Sequence, residues 1–245
     1  MRCRIPDRSR RYWEEATVID FMPIIAQIDS SALSISYLAI GPELILAAGA
    51  ALVLMIEVFY KPRHTVHAGL VFSTLVLATA VAILQYDRVQ DGAAAHFSGM
   101  IVADDLAVLG KFLLLTVAAF GLLVAWPMVQ ELGRRGAEGV ALVLLSAVGF
   151  MFMLAGANLM MVFLGLEIGS ISLYVLAGIT RESVESDEAA LKYFLLGSFA
   201  SAIFVYGVAL AYAGTGELSL TGIAAQLPGG VVVLRPGVVL AAMAL

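Results

Sequence analysis

Long apolar runs dominate this sequence and limit the folds that it can adopt. The chain is 61% apolar and only 13% charged, so these runs are separated by short polar connections. A segment surrounded by lipid has to satisfy its own backbone hydrogen bonds, and a helix does so. The fold is therefore predicted to be all-α, a polytopic bundle of transmembrane helices. The complete spans are predicted at about 39–60, 66–86, 106–126, 139–157, 158–179 and 189–213.

Two further segments flank these spans. Residues 1–38 are predicted to be an N-terminal tail, partly disordered or interfacial, because it begins with an arginine-rich stretch and its later apolar residues are interrupted by polar ones. Residues 238–245 are apolar but much shorter than the roughly 20 residues that a span needs. We interpret them as the start of a seventh helix in a transmembrane domain of residues 39–245. The expectation is that the chain is either a fragment or a gene product without its second half.

Composition argues against several classes of protein. A net charge of -5 does not suggest nucleic acid as a partner, and a single cysteine, Cys3, cannot hold zinc or an iron–sulfur cluster. His64 and His67 are three residues apart but have no cysteine or carboxylate beside them in the sequence, which makes a poor metal site. The GTGELS stretch at Gly214 lacks the preceding strand of a dinucleotide site. We expect no metal and no cofactor on this chain.

Lysines and arginines indicate an orientation. The odd-numbered connections between spans carry five of them and the even-numbered connections two, and cytoplasmic connections are enriched in these residues. We therefore expect the odd connections in the cytoplasm and the N-terminus outside. The five are Lys61, Arg63, Arg134, Arg135 and Arg181; the two are Arg88 and Arg235.

One carboxylate, Glu167, interrupts the fifth apolar run. At about 1.5 Å of rise per residue it lies about 13 Å from Asn158, near the middle of a hydrocarbon core about 30 Å thick. An ionisable side chain at that depth costs about 2.5–3.5 kcal/mol on insertion scales and usually faces a bundle interior or a water path. We interpret Glu167 as a proton carrier; the alternative is a protonated carboxyl that serves only packing.

Residues on the same helix can support Glu167. Ser170 and Tyr174 share its face at offsets of three and seven, where they can hydrogen-bond water or the carboxylate. Gly165 and Gly169 form a G-x-x-x-G pair on roughly the opposite face, where a neighbouring helix can approach closely.

Lys192, in the sixth run, is the cation that Glu167 would need if the two helices lie side by side. The alternative is a surface role. With Ser186 as the helix cap, Lys192 falls in the second turn and can snorkel to the cytoplasmic surface.

The third run has its own charged residues. Asp104 and Asp105 are predicted to complement the dipole at its start. Lys111 either snorkels or joins an ionisable row as a supporting residue. Glu43 and Glu57, near the two ends of the first run, are expected to be exposed to headgroups or water rather than buried.

Three stretches resemble a known family. IGPELIL in the first run, FLGLEIGSISLYVLAG around Glu167 and EAALKYFLLGSFASAIFVYGVALAYAGTG around Lys192 are similar to the antiporter-like membrane subunits of the proton-pumping NADH:quinone oxidoreductase, respiratory complex I. Within that family the resemblance is to the N-terminal half of subunit N. It extends over residues 39–245, and the last two stretches carry most of it.

The resemblance implies a fold and an activity. The fold is half of an inverted-repeat, antiporter-like bundle in which Glu167 lies with lysines of the following helices in a hydrated half-channel, and Lys192 matches the lysine of the sixth helix. The lysine of the seventh helix would lie beyond Leu245. The implied function is proton translocation coupled to electron transfer from NADH to quinone in other subunits, with no redox chemistry on this chain.

The resemblance also implies partners and a location. These are other membrane subunits of complex I, which would carry NADH, FMN, iron–sulfur clusters and quinone, and the lipid bilayer of a bacterial plasma membrane. Two alternatives remain open. One is a subunit of a multi-component cation/proton antiporter, and the other is a structural component that transports nothing.

Overall fold

The structure is a computed structural model that describes residues 37–60, 64–89, 94–180 and 183–226. The chain divides into two units, Met1–Tyr37 and Leu38–Leu245, and every described residue except Tyr37 belongs to the second. The predicted tail therefore lies almost entirely outside the described residues. So does the incomplete run at 238–245.

Helices account for most of the described residues, and six of them are long and apolar enough to cross a membrane. This confirms the prediction of a polytopic all-α protein. Four helices extend past a predicted bound into polar or proline-containing residues, and other helix ends lie one or two residues inside the predicted bounds. The spanning helices are α1 (Gly41–Tyr60), α2 (His64–Val89), α3 (Asp105–Leu132), α4 (Arg134–Ala155), α5 (Leu159–Ala177) and α6 (Val184–Thr215), followed by the short α7 (Leu220–Gln226).

Helix α4 is the centre of the bundle. It packs against α1, α3 and α5. Of the most apolar 18 residues of α4, 56% are buried, whereas the corresponding share in α6 is 17%. Leu144 and Met151 of α4 are fully buried in a core shared with Leu46 of α1 and Leu115 of α3. Helix α6 instead packs mainly on α5 and exposes large apolar side chains, among them Leu196 and Phe199.

Glycines bring α4 and α5 into backbone contact. A Cβ on Gly149 of α4 would lie 2.3 Å from the backbone nitrogen of Gly169, and a Cβ on Gly165 would lie 2.5 Å from that of Met153. Neither position can therefore hold a larger residue without moving a helix. The close approach predicted from the G-x-x-x-G pair is confirmed.

The connection between α2 and α3 contains a β-hairpin. Strands β1 (Ala94–His96) and β2 (Ile101–Ala103) pair antiparallel, with His96 opposite Ile101. Strands of three residues are too short to be recognised in the sequence from alternating apolar and polar residues. The turn between them uses positive φ angles at Phe97, Ser98 and Gly99.

Hydrogen bonds join three connections on one side of the bundle. The backbone N–H of Ala157, between α4 and α5, donates to Met100 O of the hairpin at 2.9 Å. Leu159 N donates to Leu218 O at 3.0 Å, and Leu220 N donates to Ala157 O at 2.9 Å. The second, fourth and sixth connections therefore share one face, as helices that alternate in direction require.

Two helix starts were predicted, and one prediction was wrong. Asp104 caps α3 by accepting a hydrogen bond from Ala107 N at 2.7 Å, which agrees with its predicted place at a helix start. Helix α6 is capped by Ser183 rather than Ser186. The Ser186 hydroxyl donates instead to Ala177 O at 2.9 Å and so ties the start of α6 to the end of α5.

Candidate functional site

Glu167 lies in the middle of α5, a helix that begins where Asn158 accepts a hydrogen bond from Met160 N at 2.8 Å. The residue is half-buried, and its Oε1 is shielded from solvent with no hydrogen-bond partner in the described part of the chain. A buried polar atom without a partner costs about 1–3 kcal/mol. A proton, a water molecule or a mobile cation at Glu167 would remove that cost.

A cavity of about 340 Å³ between α5 and α6 contains the two predicted supporting residues, Ser170 and Tyr174. Ser201 of α6 adds a second hydroxyl to its lining. The rest of the lining is apolar, so these three hydroxyls are the places where the cavity can hold water. Leu166, the neighbour of Glu167 in the chain, also lines this space.

Tyr174 is held in place by α6. Its ring meets those of Tyr193 and Phe194 edge to face, with centroids 4.8 and 5.9 Å away. Its hydroxyl lies over Gly197, where an added Cβ would approach within 1.9 Å. The phenol therefore occupies a slot that exists because residue 197 has no side chain.

Lys192 is not beside Glu167 in this structure, and the predicted pairing is not found. Its ammonium instead forms an ion pair with Glu188 one turn earlier in α6, and the side chains are 69% and 58% exposed.

The register of the two helices explains the separation. Tyr174 packs on Gly197, and Phe163 stacks on Phe204. By these contacts Lys192 is level with the end of α5, about ten residues or roughly 15 Å along the helix axis from the level of Glu167. The first turns of α6 extend past the end of α5 along the helix axis. The positions of the two apolar runs in the sequence do not show this offset.

Lys111 is buried in a separate ionisable cluster, which contradicts the prediction that Glu43 is exposed. Lys111 Nζ lies 2.8 Å from Glu43 Oε1, and the two side chains are 3% and 0% exposed. The ammonium also donates to Ala39 O at 2.8 Å and to Gln85 Oε1 at 3.2 Å. Burial of Lys111 rules out snorkelling, and its ionic partner is Glu43, a residue outside the row that includes Glu167. Pro42, next to Glu43, signals a helix break at this point in the sequence.

Glu57 is also more buried than predicted. Its Oε2 lies 3.4 Å from Nε2 of His67, with side-chain exposures of 13% and 6%. The end of α1 thus turns Glu57 towards the start of α2 rather than towards headgroups. Within the described residues no three His, Cys, Asp or Glu side chains converge on a possible metal position.

His96, on the hairpin, lies within electrostatic reach of the buried cluster. Partial burial, and then the positive charge of Lys111, lower the pKa of His96 below its ordinary value. The imidazole is therefore neutral over a wider pH range than a free histidine.

Comparisons with known proteins agree with this architecture. A family model described as NADH:quinone oxidoreductase/Mrp antiporter, transmembrane, matches residues 156–245. NADH-quinone oxidoreductase subunit N 2 of Symbiobacterium thermophilum is 38% identical over 207 residues, covering 80% of this chain and 40% of that protein. The chain thus spans about two fifths of the length of the relatives that it matches.

Two solved structures share the fold. One is a chain of respiratory complex I from Thermus thermophilus, with a TM-score of 0.62 and 28% identity. The match covers 83% of the present chain and 42% of the complex I chain. The membrane-bound sulfane sulfur reductase, an archaeal respiratory membrane complex, matches 86% of this chain and 43% of its own with a TM-score of 0.65. At 22% identity this second likeness concerns the fold alone.

The spanning helices, the half-buried glutamate of α5 and these similarities lead to one assignment. Over residues 156–245 the chain carries the transmembrane region described as NADH:quinone oxidoreductase/Mrp antiporter, and it is similar to subunit N of NADH-quinone oxidoreductase over about two fifths of that protein's length.

Proposed function

We propose that this chain is part of a proton-translocating membrane subunit of NADH:quinone oxidoreductase and that Glu167 is its proton carrier. The observation that carries the proposal is the solvent-shielded Oε1 of Glu167, which has no hydrogen-bond partner in the described residues. No ion pair with this carboxylate is found among the described residues, so a moving proton or cation would not have to displace a fixed partner there. A carrier needs that property, and a packing carboxyl does not.

The cavity residues have supporting roles in this proposal. Ser170 and Tyr174 line the space through which water would reach the middle of α5, and their hydroxyls can orient that water. Lys192, about 15 Å along the axis, would act at the mouth of the path rather than as a direct partner of Glu167.

Exchange of Glu167 for glutamine tests the carrier role. In vesicles containing the complete enzyme, we expect Glu167→Gln to reduce the number of protons pumped per NADH oxidised, because the amide cannot accept and release a proton. Glu131→Gln is a matched control, since Glu131 is exposed at the end of α3. If Glu167→Gln pumps as many protons as the wild type, Glu167 has only a packing role. That result would favour the alternative in which this chain is a structural component without transport activity.

A second candidate function is that of a subunit of a multi-component cation/proton antiporter. The description of the matching family model includes such antiporters, and it covers α5 and α6. Sodium-driven proton movement without quinone reductase activity in purified membranes would select this candidate. NADH-dependent pumping in the absence of sodium would reject it.

The same proposal covers cofactors, partners and location. We infer that the redox chemistry, with NADH, FMN, iron–sulfur clusters and quinone, takes place in partner subunits, and that this chain holds no cofactor. Its partners are then other membrane subunits of complex I and the lipid bilayer. The excess of positive residues in the odd connections supports an N-terminus outside a bacterial plasma membrane.

A further inference from the structure

The helical backbone is interrupted at Ile40, just before α1. Backbone carbonyls at this break lack a partner within the helix. Pro42 has no N–H, so it cannot donate to the carbonyl of Leu38 four residues earlier. The side-chain amide of Gln85, from α2, donates to Leu38 O instead. The next carbonyl, that of Ala39, accepts from Lys111 of α3.

Three oxygens of different chemistry surround the Lys111 ammonium. Glu43 Oε1 and Ala39 O each lie 2.8 Å from Nζ, and Gln85 Oε1 lies 3.2 Å away. Glu43, Gln85 and Lys111 are 1%, 3% and 2% exposed, so no solvent competes for these contacts. Neither carboxylate oxygen of Glu43 accepts a hydrogen bond in the described chain: Oε1 is held by the charge of Lys111, and Oε2 is buried without a partner.

This arrangement has the composition of a cation site. Transporters bind monovalent cations near breaks in transmembrane helices, with backbone carbonyls of the unwound segment as ligands. Here a carboxylate supplies the neutralising charge, and an amide oxygen and a carbonyl complete the set. An ammonium group and a potassium ion have the same charge and similar size, so the same oxygens suit both.

We propose that Glu43, Gln85 and the Ala39 carbonyl form a monovalent-cation site that Lys111 fills with its own ammonium. The lysine then acts as a built-in cation and makes this end of the bundle independent of sodium and potassium. The ammonium donates hydrogen bonds to Ala39 O and Gln85 Oε1 and pairs its charge with Glu43, so Lys111 is a positioning residue that joins α1, α2 and α3. The proposal does not depend on the role of Glu167.

Removal of the ammonium should open the site to dissolved cations. We would purify the full chain in nanodiscs and compare melting temperatures in choline, sodium and potassium chloride at equal ionic strength. The wild type should melt at the same temperature in all three salts. Lys111→Met should melt lower in choline and regain about 5 °C or more in a saturable manner with sodium or potassium, because ligand binding to the folded state raises its stability.

Two further variants make the result specific. Lys111→Met combined with Glu43→Gln should lose the difference between salts, because the site then lacks its carboxylate. Lys192→Met, which removes an exposed lysine from α6, should behave as the wild type does. Lys111→Gln, which keeps donors for two of the oxygens without a charge, repeats the test if the methionine variant folds poorly.

Several outcomes would overturn the proposal. One is a Lys111→Met protein that melts at the same temperature in all three salts. Another is an equal gain in the double variant, which would show that the cations act elsewhere. Failure of both Lys111 variants to fold in potassium chloride would also count against it, since the alkali cation should replace the ammonium.

Discussion

Two buried carboxylates in this chain differ in what lies beside them. Both have buried oxygens without a hydrogen-bond partner in the described residues, but Glu43 Oε1 lies 2.8 Å from a lysine ammonium, whereas no ion pair with Glu167 is found among these residues. In a medium of low dielectric constant a paired charge is held by its partner, and an unpaired one is costly. This difference supports a fixed ion pair at Glu43 and is the basis on which we propose proton exchange at Glu167.

A double-mutant cycle in choline chloride tests the buried pair at the scale of the residue. Glu43→Gln or Lys111→Met alone should destabilise the protein by about 3–5 kcal/mol, because each leaves one buried charge unpaired. The double variant should lose much less than the sum of the two. Melting temperature or denaturant titration in detergent would measure the effect.

The exposed pair Lys192–Glu188 supplies the control for that cycle. Both side chains are more than half exposed, so their coupling should be about 0–1 kcal/mol. Additive losses at Glu43 and Lys111 would contradict the interpretation that they stabilise each other.

At the scale of the element, the contact between α4 and α5 positions Glu167. Gly149 of α4 faces Gly165 and Gly169 of α5, and these glycines are one turn apart on the side of α5 away from Glu167. Whatever separates the two helices would therefore also move the carboxylate relative to α6 and the cavity.

The prediction at this scale concerns Gly149→Ala. The added methyl group would lie 2.3 Å from Gly169 N and 2.7 Å from Gly165 O, both backbone atoms that cannot rotate away. We expect a loss of about 1–3 kcal/mol in stability, measured as a lower melting temperature. Gly121→Ala in α3, where a Cβ would meet nothing within 4 Å, should be neutral or slightly stabilising. Equal melting temperatures for the two variants would show that the helices can separate freely.

At the scale of the whole molecule, hydrogen bonds hold the even-numbered connections together on one face. The hairpin, the turn at Gly156–Asn158 and the segment before α7 share this network. The network places all three on the same side of the membrane but does not say which side that is. The positive residues of the odd connections indicate that it is the outer side.

Cysteine labelling in intact cells tests that orientation. In a chain with Cys3 replaced by serine, Ser98→Cys on the hairpin should react with a membrane-impermeant maleimide added from outside. Glu131→Cys, at the other end of α3, should react only after permeabilisation. Both residues are exposed, so access from either side depends on topology rather than on burial. The reverse pattern would place the N-terminus in the cytoplasm.

Hydropathy along the chain was sufficient to determine the number and approximate position of the described spans. Each transmembrane helix has to be apolar over about 20 residues whatever its neighbours are, so this property is local. Glu167 was recognisable for the same reason, as one acidic residue in the middle of an apolar run. The glycine contact on α5 was also readable, because small residues at i and i+4 lie on one helix face.

Partners of the charged residues depended on tertiary structure. Glu43 and Glu57 are near the ends of their helix, where sequence cannot distinguish a headgroup from a lysine 68 residues away or a histidine across a turn. For Lys192 the sequence left open a pairing with Glu167 or a surface position, and the offset between α5 and α6 decided for the surface. Sequence thus determined which segments are buried in the membrane, whereas the register and packing of the helices decided which charges meet, because those contacts join residues far apart in the chain.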